Sequence, residues 1–261
     1  MIRIKTPYEI EQMRHTCLLA AQTLRMIEPY IQVGVTTQRL NDICHQFILD
    51  HGAIPSPLNY RGFPKSICTS VNQQVCHGIP SSRVLREGDI INVDITTNLN
   101  GFHGDTSRTF AVGVVNVRAA KCIEVARNCL EVGIRAVRPG GHVGDIGAAI
   151  ANYAQSQRCS VVREYCGHGI GRDFHEDPAI MHFGEVGQGA LLRPGMIFTI
   201  EPMINLGKAA IRHLPDKWTV VTQDHSLSAQ FEHTVLITPD GYEVLTDIDQ
   251  VDRNASHESA A

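Results

Sequence analysis

The sequence has 261 residues, of which 43% are hydrophobic and 19% are charged, and its formal net charge is −4. These values are typical of a globular protein with a full core, and they exclude the basic surface of a nucleic-acid-binding protein. No apolar run approaches the ~18 residues of a membrane span. The charged start, MIRIKTPYEIEQM, differs from a signal peptide, and the eight cysteines form no CxxC pair, so we expect a cytoplasmic protein with reduced thiols.

The first predicted elements are two helices near the start of the chain. Thr6-Pro7-Tyr8-Glu9 has the pattern of a capping box with proline at the first helical position, and apolar residues follow at helical spacing as far as Ile27. A second helix is predicted after Thr37. The second half of the chain repeats this arrangement, with helices predicted at 116–137 and 143–157.

Strands are predicted after each pair of helices. They are expected around residues 67–71, 89–99 and 106–115 in the first half, and around 161–164, 196–204, 219–222 and 233–238 in the second. This pattern predicts an α+β fold. We expect one catalytic domain over residues 1–251, with pseudo-repeats at about 1–115 and 116–251, followed by a flexible tail at 252–261.

Two short segments of the halves repeat each other, and each ends in an acid. REGDIINVD (86–94) and RPGMIFTIE (193–201) align so that Asp94 matches Glu201, and a second acid, Asp105 or Glu232, begins a later apolar run. An acid in an apolar strand is costly to bury unless it is paired or binds a metal. Taken singly, each acid is better explained as a strand end, a turn residue or a solvent-facing residue than as a metal ligand. Their recurrence as two matched pairs favours a site for two metal ions between the halves.

Two divalent ions need more ligands than four carboxylates, and histidine is the usual addition. Sites of this composition suit Mn(II), Fe(II), Co(II) or Zn(II). Three histidines lie beside glycine or in motifs near these acids: His77 in VCHGIP, His168 in CGHGIG and His175 in FHEDP. The alternative for any of them is a surface or hydrogen-bonded structural role. The same question stays open for His103, His182, His213, His225 and His233.

Taken together, these motifs carry a family resemblance. VNQQVCHG, NVDITTNLNGFHGDTSRTF, YCGHGIGRDFHEDP, FTIEP and FEHTV resemble type I methionine aminopeptidases, over about residues 3–248. The resemblance implies the pita-bread fold, in which pseudo-symmetric α/β repeats surround a curved antiparallel sheet with a metal pair at its centre. It also implies hydrolysis of the initiator methionine from nascent polypeptides whose second residue is small, by a water bound between two metal ions.

The resemblance assigns roles residue by residue. It implies five metal ligands, which are Asp94, Asp105, His168, Glu201 and Glu232. Asp94 would bind one ion, His168 and Glu201 the other, and the remaining two acids would bridge both; the residues by themselves leave this division open. Glu201 would also accept the proton of the water as general base. His175 would stabilise the developing oxyanion, and His77 would contact the scissile amide nitrogen.

The resemblance also implies a pocket for the methionine side chain. Besides the two catalytic histidines, its wall would include Tyr60, Phe63, Cys68, Phe174 and Trp218. Core packing is the alternative for each of them, above all for Cys68. Pro57 stands where bacterial members of the family often have cysteine, which is a departure in the pocket. Asn72 and Ser228 resemble positions that help to hold a monovalent cation, Na⁺ or K⁺, in the family.

The expected partners follow from the same resemblance. The substrate would be the N-terminus of a nascent polypeptide after deformylation, which implies a transient contact with the ribosome. No basic cluster in the sequence marks a surface for that contact. We expect a cytoplasmic monomer that binds neither DNA nor membranes.

Rival classes within the fold differ in length or in ligands. Prolidases and proline aminopeptidases share the five ligands but usually have a large N-terminal domain, whereas here the catalytic pattern begins within ten residues of the start. Type II methionine aminopeptidases have a helical insertion between the second catalytic histidine and the next acidic ligand. In this sequence only 26 positions separate His175 from Glu201, which is too few for that insertion. A non-enzymatic module that binds peptides or ribosomes would typically lack some ligands. The sequence therefore favours the compact bacterial type I form.

Overall fold

The computed structural model describes residues 1–247, so the tail expected at 252–261 lies outside the described residues. Within that range the α-helices are α1 (Pro7–Ile27), α2 (Thr37–Asp50), α3 (Val117–Arg135) and α4 (Val143–Ser156). All four predicted helices are confirmed. Helix α1 begins as expected, because the Thr6 hydroxyl accepts the Glu9 N–H and the Glu9 carboxylate accepts the Thr6 N–H.

The strands are mostly short and pair in an antiparallel manner. They are β1 (Ile54–Pro55), β2 (Cys68–Val71), β3 (Gln74–Cys76), β4 (Ile90–Leu99), β5 (Phe102–Ala111), β6 (Ser160–Val161), β7 (Gly167–Gly169), β8 (Glu176–Ile180), β9 (Ile197–Ile200), β10 (Met203–Asn205), β11 (Ile211–His213), β12 (Val220–Thr222), β13 (Ser228–Gln230), β14 (His233–Ile237) and β15 (Tyr242–Val244). One sheet contains β1, β2, β4 and β5, and another has the order β15-β14-β9-β7-β8. Mixed helices and antiparallel sheets confirm the α+β class.

Three strand predictions are wrong in their bounds, and the one expected at 161–164 is the short β6 (Ser160–Val161). The strand expected at 106–115 is β5 (Phe102–Ala111), since it forms a hairpin with β4 in which Leu99 faces Phe102. Asp105 therefore lies within a strand and not at its start. The strand expected at 196–204 is two strands, β9 and β10, because Pro202 between them has no N–H to donate to a neighbouring strand.

The two largest apolar cores lie mainly one in each half. One core joins Leu40 of α2 to Ile91 of β4, and the other joins Cys122 of α3 and Ile146 of α4 to Phe198 of β9. All eight cysteines are free thiols. None of the helices in residues 1–247 combines the length and the apolar character needed to cross a bilayer.

The sequence repeat is also a repeat of backbone structure. The Asp89 N–H donates to the Arg86 carbonyl at 3.1 Å, and the Met196 N–H donates to the Arg193 carbonyl at 3.1 Å. Gly88 and Gly195 have φ values of +84° and +86° in these two turns. A glycine is favoured at both positions because other residues rarely adopt positive φ. Equivalent turns therefore lead into β4 and β9.

The two turns predict unequal effects of the same substitution. A Cβ on Gly195 would lie 2.7 Å from Ile4 Cγ2, whereas the nearest atom to a Cβ on Gly88 is 3.8 Å away. We expect Gly88→Ala to lower the free energy of unfolding by about 1 kcal/mol through backbone strain, and Gly195→Ala by about 2 kcal/mol or more because strain and overpacking combine. Urea denaturation of both variants measures the difference, and equal losses would contradict the prediction.

Candidate metal centre and substrate pocket

Residues from both halves line one cavity of about 330 Å³. Every residue predicted from the resemblance as a metal ligand or catalytic histidine lines it: His77, Asp94, Asp105, His168, His175, Glu201 and Glu232. The structure thus brings together side chains that are up to 155 positions apart, from 77 to 232, in the sequence.

The β4–β5 hairpin supplies the first two acids. Asp94 pairs with Ser107 across the hairpin, and Thr96 pairs with Asp105. Since side chains alternate along a strand, Asp94 and Thr96 point away from the core that buries Ile95. The Thr96 hydroxyl donates to Asp105 Oδ1 at 2.8 Å, which fixes the orientation of that carboxylate.

The second half supplies the other three candidate ligands. His168 lies on β7, Glu201 follows β9, and Glu232 precedes β14. The main chains of the halves meet here, because the Glu232 N–H donates to the Ser107 carbonyl at 3.0 Å.

The spacing of the ligand atoms fits a cation. His168 Nε2 lies 3.8 Å from Asp105 Oδ2 and 3.6 Å from Glu201 Oε1. Asp105, His168 and Glu232 each offer a ligand atom, and these atoms lie within 4.8 Å of one another. These ligand atoms are too far apart to hydrogen-bond to one another and close enough to bind a common ion. Four carboxylates and one imidazole could hold divalent metal ions of intermediate softness.

The acids of the cavity resist ionisation in the absence of a cation. Burial raises the pKa of Asp94 to about 7 and that of Glu201 to about 8. Burial, together with the charges of the neighbouring acids, raises the pKa of Asp105 and of Glu232 well above the usual range. Burial lowers the pKa of His168 to about 4, so that its imidazole is neutral and able to bind a metal. A bound cation would remove the mutual repulsion of the acids.

Sequence reasoning missed two side chains that hold Glu201. The Thr199 hydroxyl donates to Glu201 Oε1 at 2.8 Å and accepts the His168 N–H at 2.9 Å. Gln230 Nε2 donates to Glu201 Oε2 at 3.1 Å. Thr199 and Gln230 each stand two positions before a candidate ligand, Glu201 or Glu232, and the period of a strand therefore places them on the same face. That period was the signal available in the sequence.

His175 and His77 lie on the wall of the cavity as neutral rings. His175 Nδ1 is 3.0 Å from the Tyr60 hydroxyl, and its ring centroid is 4.2 Å from that of His168. Burial lowers the pKa of His175 to about 3 and that of His77 to about 4. The His77 ring lies edge-on to Trp218, with 6.2 Å between the ring centroids.

Aromatic rings make up much of the remaining wall. The cavity is lined by the five residues predicted for a methionine pocket, Tyr60, Phe63, Cys68, Phe174 and Trp218. Ring centroids are 4.9 Å apart for Tyr60 and Phe174, and 5.2 Å apart for Phe63 and Trp218. Pro57 also lines the cavity, as do five residues that were not predicted: Arg61, Thr96, Glu164, Tyr165 and Cys166.

Asn72 and Ser228 lie outside the cavity wall but beside each other. The Ser228 N–H donates to the Asn72 carbonyl at 2.9 Å. Asn72 has a φ of +58°, and its side chain donates to Asp89 Oδ1 at 2.7 Å. The Ser228 hydroxyl is buried and has no hydrogen-bond partner in the described part of the chain.

Several histidines left open by the sequence support the site from outside. His182 is fully buried, and its Nε2 accepts the Glu201 N–H at 3.1 Å. His103 stacks on Phe174 with 5.5 Å between the ring centroids. His213 Nε2 lies 2.8 Å from the Tyr165 hydroxyl, whereas His233 Nδ1 bonds to Thr246 away from the cavity.

Comparisons with known proteins agree with the geometry. The sequence profile of metallopeptidase family M24 matches residues 11–239. Methionine aminopeptidase A of Synechocystis sp. is 55% identical over 239 residues, which are 91% of this chain and 94% of that protein. The crystal structure of methionine aminopeptidase from Rickettsia prowazekii superposes with a TM-score of 0.93 at 52% identity, covering 94% of this chain and 100% of that one.

A more distant neighbour shares the fold alone. The prolidase from Pyrococcus horikoshii superposes with a TM-score of 0.73 at 22% identity, and the match covers 94% of this chain but 63% of that one. The fold is therefore the pita-bread fold that the sequence predicted. The prolidase has a further part of its chain without a counterpart in the match.

Proposed function

This chain belongs to metallopeptidase family M24, with the methionine aminopeptidases as its relatives at about half identity, and we propose that it removes the initiator methionine from polypeptides whose second residue is small. The family and the methionine aminopeptidase relatives together make it a metal-dependent aminopeptidase that acts on peptide N-termini. The observation that carries the narrower proposal is one cavity that is lined by the four acids proposed as ligands, by three neutral histidines and by aromatic rings.

We propose that Asp94, Asp105, His168, Glu201 and Glu232 hold two divalent ions, each of them Co(II), Mn(II), Fe(II) or Zn(II). The donor set supports this, since four carboxylates and one imidazole provide enough oxygen and nitrogen ligands for a pair of such ions. When bound, the ions supply Lewis-acid activation of water and of the substrate carbonyl near neutral pH.

The proposed proton acceptor is Glu201. Hydrogen bonds from Thr199 and Gln230 hold its two carboxylate oxygens, and they orient the carboxylate toward the cavity. A general base must be held within hydrogen-bond reach of the proton that it takes. Thr199 and Gln230 are proposed to hold Glu201 in that position.

His175 and His77 are proposed to contact the scissile peptide. When the Tyr60 hydroxyl donates to His175 Nδ1, the ring proton lies on Nε2, which can donate to the oxygen of the attacked carbonyl. His77 is proposed to contact the amide nitrogen that becomes the leaving amine. Tyr60, Phe63, Cys68, Phe174 and Trp218 are proposed to enclose the methionine side chain, and a cavity of about 330 Å³ is of the size that binds a small ligand.

Several finer proposals complete this assignment. The substrate is a nascent chain after deformylation, the enzyme contacts the ribosome transiently, and it acts as a cytoplasmic monomer. The halves at 1–115 and 116–251 form one catalytic domain, since both supply acids to the cavity. A monovalent cation, Na⁺ or K⁺, binds near Asn72 and Ser228, and the unpartnered Ser228 hydroxyl supports that position.

One assay tests the proposed function against its rivals. The protein is incubated with Met-Ala-Ser or with an Ala-Pro dipeptide, with Mn(II) or Co(II) added or with a chelator. We expect release of methionine from Met-Ala-Ser only when metal is present. Cleavage of the Ala-Pro dipeptide would instead indicate a prolidase, and peptide binding without turnover that survives chelation would indicate a non-enzymatic module.

The position of Thr199 predicts an effect on metal binding. We expect Thr199→Val to weaken Mn(II) binding by about 10-fold, because partners that orient metal ligands typically contribute 10- to 100-fold to affinity. Thr199→Ser keeps the hydroxyl and is expected to bind Mn(II) within about 2-fold of the unaltered protein. Isothermal titration calorimetry measures both affinities, and equal affinities for the two variants would contradict the role of this hydroxyl.

A further inference from the structure

A buried ion pair lies directly behind the turn that carries His175. Lys5 Nζ is 2.5 Å from Glu176 Oε2, and the side chains of both residues are 4% exposed. The Lys5 N–H also donates to the Gly195 carbonyl at 2.8 Å, so the main chain of Lys5 is attached to the turn before β9. Lys5 is therefore held both at its main chain and at its ammonium group.

Glu176 closes the turn with its second carboxylate oxygen. Glu176 Oε1 accepts the Asp173 N–H at 3.3 Å, and the Gly171 N–H donates to the Asp173 carbonyl at 3.2 Å. Phe174 and His175 lie between these anchored residues. The orientation of Glu176 thus sets the conformation of the segment from which His175 enters the cavity.

Gly171 leaves the space in which Lys5 reaches Glu176. A Cβ at this position would lie 2.6 Å from Lys5 Cε and 2.8 Å from Lys5 Nζ. Since a side chain there would displace the ammonium group, this glycine of the GHGIGR segment is explained by the ion pair.

Stability alone is a weak explanation for such a pair. The desolvation of two buried charges commonly offsets their attraction, and well-packed apolar residues often serve equally well. A buried pair does impose one geometry, because each charge must face the other. In this protein that geometry is transmitted to the turn holding His175.

We propose that Lys5 is a positioning residue for His175, acting through the buried carboxylate of Glu176. The inference rests on the proposed function, in which His175 stabilises the oxyanion of the attacked carbonyl. It assigns the N-terminal segment of the chain a part in the reaction, although Lys5 does not line the cavity.

The test compares Lys5→Met with Arg14→Met. The second variant breaks the paired hydrogen bonds of Arg14 to Glu243, at 2.9 and 2.8 Å, on residues that do not line the cavity. With Met-Ala-Ser and saturating metal, we expect Lys5→Met to lower kcat by about 10- to 100-fold with little change in KM, since a small misplacement of a catalytic group has effects of this size. Arg14→Met is expected to change kcat by less than about 2-fold.

A double mutant separates positioning from a general loss of structure. On a His175→Ala background, Lys5→Met is expected to lower kcat by less than about 2-fold, because the residue through which it acts is absent. Full additivity of the two losses would overturn the proposal. Lys5→Gln keeps an amide donor toward Glu176 and is expected to lose less activity; it replaces Lys5→Met in every arm if that variant does not fold.

Hydrogen exchange provides a readout that is independent of turnover. We expect the amides of residues 171–176 to exchange faster in Lys5→Met and unchanged in Arg14→Met. Unchanged exchange in Lys5→Met would overturn the proposal even if kcat falls. If the unaltered protein releases no methionine, the proposed function fails, whereas the exchange result still decides whether Lys5 orders the turn.

Discussion

Glu201→Gln is expected to lower kcat for Met-Ala-Ser by about 10³-fold at saturating metal, within the range typical of general acid–base catalysis. The amide keeps the shape of the side chain and an oxygen for a metal or for Thr199, but it cannot accept the proton of the attacking water. Since the aromatic pocket is proposed to bind the substrate, we expect KM to change much less than kcat. Steady-state kinetics over a series of metal concentrations measures both constants.

A matched substitution on a distant surface is the control. Glu131 lies on α3, is 45% exposed and pairs with Arg135. We expect Glu131→Gln to change kcat by less than about 2-fold, because surface ion pairs contribute little. Turnover by Glu201→Gln within about 10-fold of the unaltered protein would rule out Glu201 as the general base.

The metal-free protein is expected to lose stability as the pH rises from 6.5 to 8. Burial holds the pKa of Asp94 at about 7 and that of Glu201 at about 8, far above their values in an unfolded chain. A carboxylate with a raised pKa contributes stability fully below its unfolded pKa, and that contribution is lost as the pH rises through the folded pKa. A tenfold change in an ionisation constant corresponds to about 1.4 kcal/mol, so we expect the free energy of unfolding to fall by roughly 2 kcal/mol or more across this window.

Other buried titratable groups do not mask this loss of stability between pH 6.5 and 8. The buried histidines have lowered pKa values, and they reduce stability only as the pH falls below about 6.5. The buried thiols have raised pKa values, so they reduce stability only as the pH approaches about 8.5 and above. Between these limits the carboxylates of the cavity dominate the dependence.

Metal binding should reverse the sign of this pH dependence. The acids must ionise to bind a cation, and binding therefore releases protons and strengthens as the pH rises. Urea denaturation at several pH values, with a chelator or with excess Mn(II), measures both slopes. Asp94→Asn removes one titrating group and relieves its repulsion of Glu201, so its metal-free slope should be shallower. A metal-free stability that is flat or rises with pH would refute the prediction.

The sequence was most informative where residue type and repetition agreed. Asp94 and Glu201 stand at matching places in a duplicated segment, and capping residues mark the start of α1 at Thr6. These signals depend on residues that are close in the sequence, so they can be recognised in one sequence by itself. The cavity lining at Tyr60 and Trp218 followed from the resemblance, because an aromatic residue in a sequence pattern is equally consistent with a core.

Other parts of the site depend on contacts that a sequence pattern does not display. Strand β7 consists of Gly167, His168 and Gly169, without the apolar alternation that indicates a strand, and it forms because β8 and β9 pair with it. Thr199 and Gln230 were missed because polar residues in strands usually face solvent. The contact of Gln230 with Glu201 depends on the pairing of β13 with β10, whereas Thr199 stands two positions before Glu201 at the spacing of one strand face.

The pairing of β4 with β5 limits how the number of residues in the turn between them can change. Asp105 lines the cavity, whereas its neighbour Gly104 faces α1, where a Cβ would lie 2.6 Å from the Cys17 nitrogen. One residue added at the turn of Asn100 and Gly101, and absorbed into β5, would place Gly104 opposite Thr96 and direct the Asp105 carboxylate toward α1. A change in the length of this turn therefore requires a compensating bulge, whereas an exposed loop tip elsewhere is free to vary.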